Sequence, residues 1–428
     1  MIAAQPPATT TPPADLLIAD DDGLDAIEGT WRALWQRTEP VPPMLEFRWI
    51  RQWWRMHARE GRLAVLVTFD EQRQPLGLAP LYLRDEGMAR PSRCLRTVGF
   101  LGTGEAERDE VAGEYMSWLA PPWAMPIVTA RVLAHLAATA GSWDRLRLDC
   151  LWSGADIDGP LRRGLQGTAA LIEVEARPSF RSPVRPLDEY LRALPSANYR
   201  HRCRRALREG QDQGVELVRA RTVDEAAEMF GALETLHQRR WQRRGEPGVF
   251  SSPVFRSFQL GLLERYLEDG SAWLVGLRRR PGPGVEPGAD HRWLAVRYLL
   301  QAGGRLYDYL SGVDTEGNAA LAPGLLLHLH TLEAAAAEGI AVYDLMAGDA
   351  DYKRHLTLEH TDLPSLEVYA PTLRARLWLA ARDLRRRLAQ ARARARANGG
   401  GDGNGGSSDH PSPSATPGST AATRRAGP

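Results

Sequence analysis

The segment YLSGVDTEGNAALAPGLLLHLHTLEAAAAEGIAVYDLMAGDADYKRHL, residues 309–356, contains Lys353, the only lysine of the chain. Lysine and arginine together number 54, so every other cationic side chain of this kind is arginine. Burial can shift the pKa of an ammonium group, whereas a guanidinium is planar and stays charged. A lysine kept against an arginine background therefore indicates a chemical site. Chance survival on a solvated loop is the alternative interpretation.

The residues before this lysine predict a strand, a loop and a helix. In the strand at 305–312, alternation puts Tyr307 and Tyr309 on one face and Asp308 on the other. The helix is expected to start at Pro323, because proline pre-sets the first helical turn. Gly324 would let a phosphate-bearing ligand approach the free N–H groups of that first turn.

A second strand, 341–346, follows the helix and leads into the lysine motif. Asp344 lies near the end of this strand, and Gly348, Asp349, Tyr352 and Lys353 come after it. Ligands of open α/β sheets lie beyond the strand ends, where neighbouring strands part. We therefore expect a donor phosphate on the helix start and its reactive end near Tyr352 and Lys353. Asp344 as a strand-end cap and Asp349 as a turn residue are equally good interpretations of those two positions.

Composition excludes several classes of function. Hydrophobic residues make up 43% of the 428 residues and charged residues 25%, with a formal net charge of +1, so no overall attraction to nucleic acid is expected. Cys94, Cys150 and Cys203 are few and far apart, which argues against a disulfide framework or a zinc site and favours a reducing cytoplasm. The N-terminus has no signal-peptide pattern, and no uninterrupted apolar window is long enough to span a bilayer.

The order of predicted elements divides the chain into two α/β halves. In the first half we predict helices over 24–60 and 124–140 and strands over 63–69, 76–83, 94–102, 145–151 and 170–176. The second half is expected to contain helices over 187–213, 222–243, 253–268 and 323–338 and strands over 271–277, 292–300, 305–312, 341–346 and 365–370, with a long hairpin loop over 279–290. Trp31, Trp35, Trp49, Trp53 and Trp54 are expected to pack in the core of the first half.

These elements give the domain boundaries. We predict a disordered lead-in over 1–20, a first domain over 21–180, a Pro- and Arg-rich crossing over 177–186, a second domain over 187–370, an arginine-rich helix over 372–397 and a disordered tail over 398–428. The halves share an order of elements but no repeated sequence. The fold class is therefore α/β with mixed sheets.

Several segments together resemble the GNAT-fold acyltransferases of the BioF-like, CelD-type group. The segment quoted above contains that group's Gly-x-Asp loop ending at Asp314, its Pro-Gly helix start, its Tyr-Asp pair and its Gly-Asp-x-x-Tyr-Lys motif. Residues 98–115, 199–210 and 236–250 are similar to its Gly-Thr-Gly loop, its arginine-rich helix and its His-x-x-Arg-Trp-x-x-x-Gly segment. The resemblance covers about residues 25–370.

The resemblance implies tandem GNAT-like domains, as in the Fem transferases that build peptidoglycan bridges, and transfer of an acyl group to an amine. It implies acetyl-CoA or another acyl-CoA as donor and no metal. The acceptor amine would belong to a sugar, a nucleotide sugar or a cell-envelope or exopolysaccharide precursor. For donor binding we name Pro323, Gly324, Leu325, Tyr307 and Tyr309, for catalysis Lys353, Tyr352, Asp349 and Asp344, and for acceptor binding Arg200, Arg204, Trp241 and Asp314.

The sequence has no Ser-His-Asp pattern, and its cysteines lie outside the motifs, so we expect direct attack of the amine on the thioester. Lys353 would then hold the oxyanion or a donor phosphate, Tyr352 would act as an acid or position the substrate, and Asp349 or Asp344 would accept the proton or orient Lys353. Arg200 and Arg204 share a helix face. This face either binds an anionic acceptor or is a solvated surface, and both interpretations stay open. Trp241 is as well explained by core packing.

Two rival functions stay open. Fem enzymes take their acyl group from aminoacyl-tRNA, but no tRNA-binding arm is evident and no specific nucleic-acid partner is expected. A non-catalytic scaffold of a polysaccharide-synthesis system is the rival of another class. The helix over 372–397 has Leu373, Leu377, Leu384 and Leu388 on one stripe among nine arginines. We expect this stripe either to dock on the domain or to lie, with Trp378, on an anionic membrane, which would add peripheral contact with the inner membrane surface to a cytoplasmic location.

Overall fold

A computed structural model describes residues 15–57, 61–87, 94–152, 157–165, 171–280, 293–314, 316, 318 and 320–398. The first half contains β1 (Leu16–Ile18), α1 (Asp21–Ala26), α2 (Glu28–Arg37), α3 (Phe47–His57), β2 (Gly61–Leu63), β3 (Val65–Phe69), β4 (Pro75–Ala79), β5 (Leu81–Gly87), β6 (Cys94–Phe100), α4 (Met125–Ala138), β7 (Arg145–Leu148) and α5 (Asp158–Leu165).

The second half begins with a long strand and ends with a long helix. Its elements are β8 (Leu171–Pro183), α6 (Leu187–Ala193), α7 (Ala197–Asp212), β9 (Val215–Arg219), α8 (Val223–Gln242), α9 (Pro253–Glu268), β10 (Ala272–Arg279), β11 (Ala295–Ala302), β12 (Arg305–Val313), α10 (Pro323–Ala337), β13 (Val342–Ala347), α11 (Asp351–Leu356), β14 (Glu359–Tyr369) and α12 (Leu373–Asn398).

One mixed sheet runs through both halves. Among the described residues it contains eleven strands in the order β2-β5-β6-β7-β14-β8-β13-β12-β11-β10-β9, and β1, β3 and β4 form a smaller sheet. Each half has an antiparallel hairpin, β5–β6 or β11–β12, followed by a helix and a parallel neighbour, β7 or β13. At the centre, β14 returns from the second half to pair with both β8 and β7. The fold is thus α/β with a mixed sheet, as expected, and the two halves share this order of elements.

Aromatic side chains join the halves on one face of the sheet. Trp31, Trp49, Trp53 and Trp54 are buried, which confirms the prediction of core packing for these tryptophans. The Trp49 ring meets Phe258 of α9 edge-on at 4.8 Å, a favoured aromatic geometry. Arg48 pairs with Asp269 at 2.7 Å just after α9. Helices α6, α7 and α10 cover a second apolar cluster, around Leu326 and Leu329.

Several predicted boundaries are wrong. The supposed crossing at 177–186 is mostly strand, because β8 continues to Pro183 and pairs with β14 on one side and β13 on the other. Its prolines are tolerated because Pro178 lies just beyond the last pair with β13 and Pro183 ends the strand. Proline also divides the predicted strand 76–83 at Pro80 and the predicted helix 187–213 near Pro195.

Other differences concern element ends. Strand β14 starts at Glu359, six residues before the predicted start at 365, and the lysine segment forms the short helix α11. Residues 16–18 of the predicted disordered lead-in form β1, which pairs with β3. The rest of the lead-in before residue 15, the tail after residue 398 and most of the 279–290 loop lie outside the described residues. The domain boundaries at 21–180 and 187–370 stay predictions.

Helix α8 lies directly on strand β12 because Gly312 has no side chain. A Cβ at Gly312 would come within 2.8 Å of the Leu233 carbonyl oxygen and the Leu236 Cβ, and within 3.1 Å of the His237 nitrogen. Real Cβ atoms rarely approach other atoms so closely, and the main chain of a packed helix yields little. The absence of a side chain at Gly312 therefore sets the distance between α8 and the sheet.

We expect Gly312→Ala to lower the free energy of unfolding by about 1–3 kcal/mol, because overpacking forces the helix away from the strand. Gly231→Ala is the control. Gly231 lies on α8, the helix that packs against Gly312, and nothing lies within 4 Å of the added methyl group. That control should raise stability by about 0.5–1 kcal/mol, since alanine is the better helix former. Denaturant unfolding of the two variants checks this, and equal stability of both would contradict the packing argument.

Candidate active site

The parallel strands β12 and β13 pair over a short distance and then separate. The paired residues are Arg305–Val342, Leu306–Tyr343 and Tyr307–Asp344. Beyond these pairs β12 continues for six residues and β13 for three without pairing to each other. The two strands therefore diverge toward their carboxyl ends, where open α/β sheets bind ligands.

Irregular backbone on each strand accompanies the separation. Against β11 the register of β12 shifts between the pairs Tyr298–Leu310 and Leu299–Asp308, which leaves Tyr309 in a β-bulge. On β13, Met346 has a φ of 62°, and the pairing with β8 shifts between Asp344 and Ala347. A positive φ is unusual for a side chain of this size, so the surrounding structure imposes it.

A polar cavity of about 160 Å³ lies between the separated strands. Its lining comes from a loop of the first half, from both strands and from α11: Ala112, Glu114, Asp308, Tyr309, Ser311, Leu345, Met346, Ala347, Tyr352 and Lys353. The cavity thus unites Lys353, Tyr352 and Tyr309 of the predicted site with residues that sequence analysis did not select.

Lys353 lies at the inner wall of this cavity. It is 8% exposed, and its ammonium donates to the carbonyl oxygens of Ala347 at 2.6 Å and Met346 at 3.2 Å. The turned backbone at Met346 aims these carbonyls at it. Burial lowers the pKa of Lys353, while the carboxylates of Glu114, Asp308 and Asp344 oppose that shift. Two of its three N–H donors are used, which leaves one for a ligand.

Two carboxylates line the cavity with the lysine. Glu114 accepts a 2.9 Å hydrogen bond from the Ala347 backbone N–H, and burial raises its pKa against the opposing effects of this bond and of Lys353. Asp308 is 3.3 Å from the guanidinium of the buried Arg297. Burial also raises the pKa of Asp308, with Arg297 and Lys353 opposing. Perturbed acids beside a perturbed lysine in a cleft are typical of a functional site.

The loop that brings Glu114 into the cavity belongs to the first half. Gly113 makes its path possible, because a Cβ there would lie 2.3 Å from the Gly102 carbonyl oxygen. Glu105 anchors the loop by accepting from the Val111 N–H at 2.7 Å and the Trp53 indole at 3.0 Å. Burial raises the pKa of Glu105 to about 7, against these hydrogen bonds. The Tyr309 hydroxyl donates to the Val111 carbonyl at 2.8 Å and so ties the loop to β12.

Asp344 is buried behind the cavity and does not line it. Its Oδ1 accepts from the Tyr115 hydroxyl at 2.7 Å and from the Met346 N–H at 2.8 Å, and its Oδ2 has no hydrogen-bond partner among the described residues. Burial raises the pKa of Asp344, and the bonds from Tyr115 and Met346 oppose this. The geometry gives Asp344 the role of holding the backbone turn at Met346, and hence the carbonyls that contact Lys353.

The start of α10 at Pro323 confirms the predicted helix boundary. Its N-cap, Ala322, has left-handed dihedrals with a φ of 47°, and no side chain caps the helix. The N–H groups of Leu325 and Leu326 already donate to the Ala322 carbonyl. Gly324 lies close to β12, since a Cβ there would be 3.3 Å from Val313. Pro323, Gly324 and Leu325 therefore stay predicted donor contacts.

Asp314 structures the loop before this helix. It is buried, its N–H donates to the Leu294 carbonyl at 2.8 Å, and its Oδ1 accepts from the Glu316 N–H at 3.0 Å. These contacts explain an aspartate in the Gly-x-Asp loop without a ligand, because Asp side chains often accept from the backbone two residues on.

Other predicted site residues lie outside the cavity. Tyr307 is buried against Tyr115, and its hydroxyl is 3.3 Å from the Val41 carbonyl. Asp349 is exposed, is ion-paired with Arg354, and lines a separate surface cavity of about 480 Å³ near His360.

The predicted acceptor residues of α7 and α8 are likewise not in the lining. The Arg200 guanidinium donates to the Leu194 carbonyl at 2.5 Å, and Arg204 is exposed. The Trp241 indole donates to His237 at 2.9 Å. Next to Trp241, Arg240 is half-buried, and burial and the neighbouring Arg244 lower its pKa while the charge of Tyr352 opposes this.

Sequence analysis missed Glu114, Tyr115 and Arg297. The first two lie in the 98–115 segment, which resembles the Gly-Thr-Gly loop of the family, so the resemblance could have pointed to them. Arg297 is one arginine among 53 and its strand gives no signal. No group of three or more His, Cys, Asp or Glu side chains is placed to hold a metal in the described ranges.

We predict a characteristic pH dependence for Asp344→Asn. The raised pKa of Asp344 means that the folded chain binds a proton more tightly than the unfolded chain, so this carboxyl lowers stability as the pH rises from its unfolded pKa through its folded pKa. The amide keeps the two acceptor contacts and cannot ionise. The difference in unfolding free energy, variant minus wild type, should therefore grow with pH over that window.

Denaturant unfolding at a series of pH values measures this difference. Asp349→Asn is the matched control, since it removes an exposed carboxylate and should change stability by less than about 1 kcal/mol. A difference for Asp344→Asn that does not change with pH would contradict the prediction.

Comparison with protein-family models shows one match. The model described as an acetyltransferase (GNAT) domain matches residues 197–354, which include β12, α10, β13 and the lysine motif. No curated protein matches the chain significantly. The half of the chain that was predicted to be catalytic is therefore the part that is similar to a GNAT acetyltransferase domain.

Solved structures resemble most of the chain rather than this half alone. The crystal structure of FemX is 12% identical, with a TM-score of 0.51 over 78% of this chain and 95% of its own. The C-terminal domain of a putative lysylphosphatidylglycerol synthetase from Agrobacterium fabrum is 10% identical with a TM-score of 0.44, and covers 83% of this chain and 96% of its own. At these identities the FemX likeness concerns the fold, and the second is too distant to support an argument.

Proposed function

We propose that this chain is an acyl-CoA-dependent N-acyltransferase. Residues 197–354 match the model of a GNAT-type acetyltransferase domain, and the fold is similar to that of FemX. The observation that supports this most is the cavity between β12 and β13, with the α10 start nearby on the chain and an ammonium, a phenol and a carboxylate on its walls. A thioester between the separated strands would present its carbonyl to Lys353.

Each wall of the cavity would serve one requirement of the reaction. The amine must lose a proton, the carbonyl oxygen must be stabilised as it gains negative charge, and the thiolate must be protonated. Glu114 is placed to take the amine proton. Its Oε2 accepts from the Ala347 N–H, and its Oε1 can accept the proton. Glu114 would thus take the proton-accepting role first considered for Asp349 or Asp344. The third N–H of Lys353 would stabilise the oxygen, the role first considered for it.

Tyr352 is the candidate acid. It is 39% exposed, and burial of its hydroxyl together with Asp308 raises its pKa to about 12, so it carries its proton at neutral pH. In the reaction the C–N bond forms, the C–S bond breaks, Glu114 takes the amine proton and the thiolate takes the Tyr352 proton. Glu114 then releases its proton to solvent, and Tyr352 regains one from solvent. Asp344 would take no proton and would only hold the turn at Met346.

The acceptor would be an anionic amine, such as an amino sugar phosphate or a nucleotide amino sugar. Burial and the neighbouring Arg244 lower the pKa of Arg240, and no carboxylate pairs with Arg240 among the described residues. A half-buried guanidinium without an acid partner would bind a phosphate or carboxylate strongly. Arg200, Arg204 and Trp241 stay predicted acceptor contacts farther from the cavity.

The proposal is tested with purified full-length protein, acetyl-CoA and longer acyl-CoAs, and a panel of amines that includes amino sugars and their phosphates. Release of the CoA thiol and mass spectrometry of the acylated amine report transfer. Aminoacyl-tRNA is the parallel donor. Transfer from aminoacyl-tRNA alone would replace the proposal with the Fem-like alternative. Absence of transfer and of calorimetric acyl-CoA binding would favour the scaffold.

We predict different pH dependences of kcat for variants of two cavity residues, Glu114 and Lys353. Glu114→Gln should lower kcat by about 10²–10⁴ at neutral pH and recover toward high pH, where the amine is already deprotonated. Lys353→Arg and Lys353→Met should each lower kcat by about 10²-fold or more at every pH, because neither side chain places a compact ammonium at the carbonyl. Wild-type turnover of Lys353→Arg, in a variant that folds normally by circular dichroism, would contradict the role of the lysine.

A pair of arginine variants tests the acceptor contact. Arg240→Gln should raise the KM for an anionic acceptor by about ten-fold or more and leave the KM for acyl-CoA unchanged, since a charge-assisted hydrogen bond is lost. Arg204→Gln, on the exposed face of α7, should change the acceptor KM less than two-fold, because interactions of solvated charges contribute little free energy. The reverse order of these effects would assign the acceptor to α7.

A further inference from the structure

The C-terminal helix α12 docks on the sheet by one face. Its N-cap Thr372 donates to Asp144 at 2.8 Å and accepts from the Ala375 N–H at 3.1 Å. The Trp378 ring stacks on Tyr369 at 5.5 Å, and Ala375 and Leu379 pack in the same small cluster. All these contacts fall in the first turns of the 26-residue helix.

The leucine stripe points away from the sheet, which contradicts the prediction that it docks on the domain and leaves the membrane interpretation as a prediction. Leu373, Leu377, Leu384 and Leu388 are 73%, 62%, 58% and 50% exposed, so the stripe does not dock on the domain. Trp378 does not share its face either. At about 100° per residue, the leucines fall within about 60° of arc, centred about 160° from the docked side chains Ala375, Trp378, Leu379 and Arg382.

Arginines flank this stripe on both sides. On the same helical wheel Arg374, Arg385 and Arg392 lie along one edge of the leucines, and Arg376 and Arg387 lie along the other edge; all five are exposed. The helix contains nine arginines and a single acid, Asp383. The outer face of α12 is therefore an apolar strip between two cationic borders.

These features together select the partner. A second copy of the chain would bring its own flanking arginines against the same face, and the like charges would repel. A nucleic acid would satisfy the arginines but would leave four leucines in water. An anionic lipid surface satisfies both, because the leucines enter the acyl boundary while guanidinium groups meet the headgroups.

We propose that α12 binds the surface of an anionic bilayer through Leu377, Leu384, Leu388 and the flanking arginines, with the opposite face of its first turns held on the sheet. The helix would lie in the plane of the interface. Because only one face of the amphipathic helix would enter the bilayer, this contact would be peripheral. The search for a membrane-spanning helix found none within the described ranges. The inference is independent of the proposed acyl transfer.

The test is sedimentation of the full chain with vesicles of phosphatidylcholine alone and of phosphatidylcholine with phosphatidylglycerol. Wild type should sediment with the anionic vesicles and be released by high salt. Leu377→Gln/Leu384→Gln/Leu388→Gln should reduce the apparent affinity by about ten-fold or more, because three leucines no longer enter the acyl boundary. Arg376→Gln/Arg387→Gln should weaken binding only to the anionic vesicles.

Leu260→Gln is the matched control, because Leu260 is a 38% exposed leucine on α9 and should leave binding unchanged. All variants should keep the wild-type unfolding midpoint, since the substituted side chains are exposed. Three results would overturn the proposal: no sedimentation of wild type with anionic vesicles, equal binding of the leucine variant and wild type, or self-association of wild type that the leucine variant abolishes. The last result would identify a second copy as the partner.

Discussion

The short parallel pairing of β12 with β13 is the constraint on which the candidate site depends. Three residue pairs hold the strands together, and beyond Tyr307 and Asp344 each strand leaves the ladder. Backbone groups freed in this way must find other partners if they are buried. The carbonyls of Met346 and Ala347 find theirs in the ammonium of Lys353, so the separation of the strands and the burial of the lysine are one arrangement.

This arrangement explains why lysine persists at position 353. The ammonium is compact enough to donate to two carbonyls and still present a third N–H to the cavity. A guanidinium is larger, planar and not able to sit in the same space with the same bonds. Asp344 supports the turn from behind by accepting from the Met346 N–H, and Tyr115 in turn donates to Asp344.

The two halves are joined at the site as well as in the sheet. Glu114 and Ala112 reach the cavity from a loop of the first half, and Glu105, Trp53 and Tyr309 hold that loop in place. At the opposite end of the chain, β14 inserts between β8 and β7, and α12 packs beside it. A GNAT-type second half by itself would lack one carboxylate of its cavity and the docking surface of its last helix.

Local features that depend on short-range physics could be predicted from the sequence. The start of α10 follows from Pro323 and the buried tryptophans from their helical spacing, whereas the functional role of Lys353 stays a prediction. Which side chains meet depends on the tertiary structure. Glu114 and Lys353 are 239 positions apart, by subtraction of their numbers, and no local pattern relates them. The exposure of the α12 leucines was equally undetermined, because an amphipathic pattern gives the width of an apolar stripe and not which surface the helix selects.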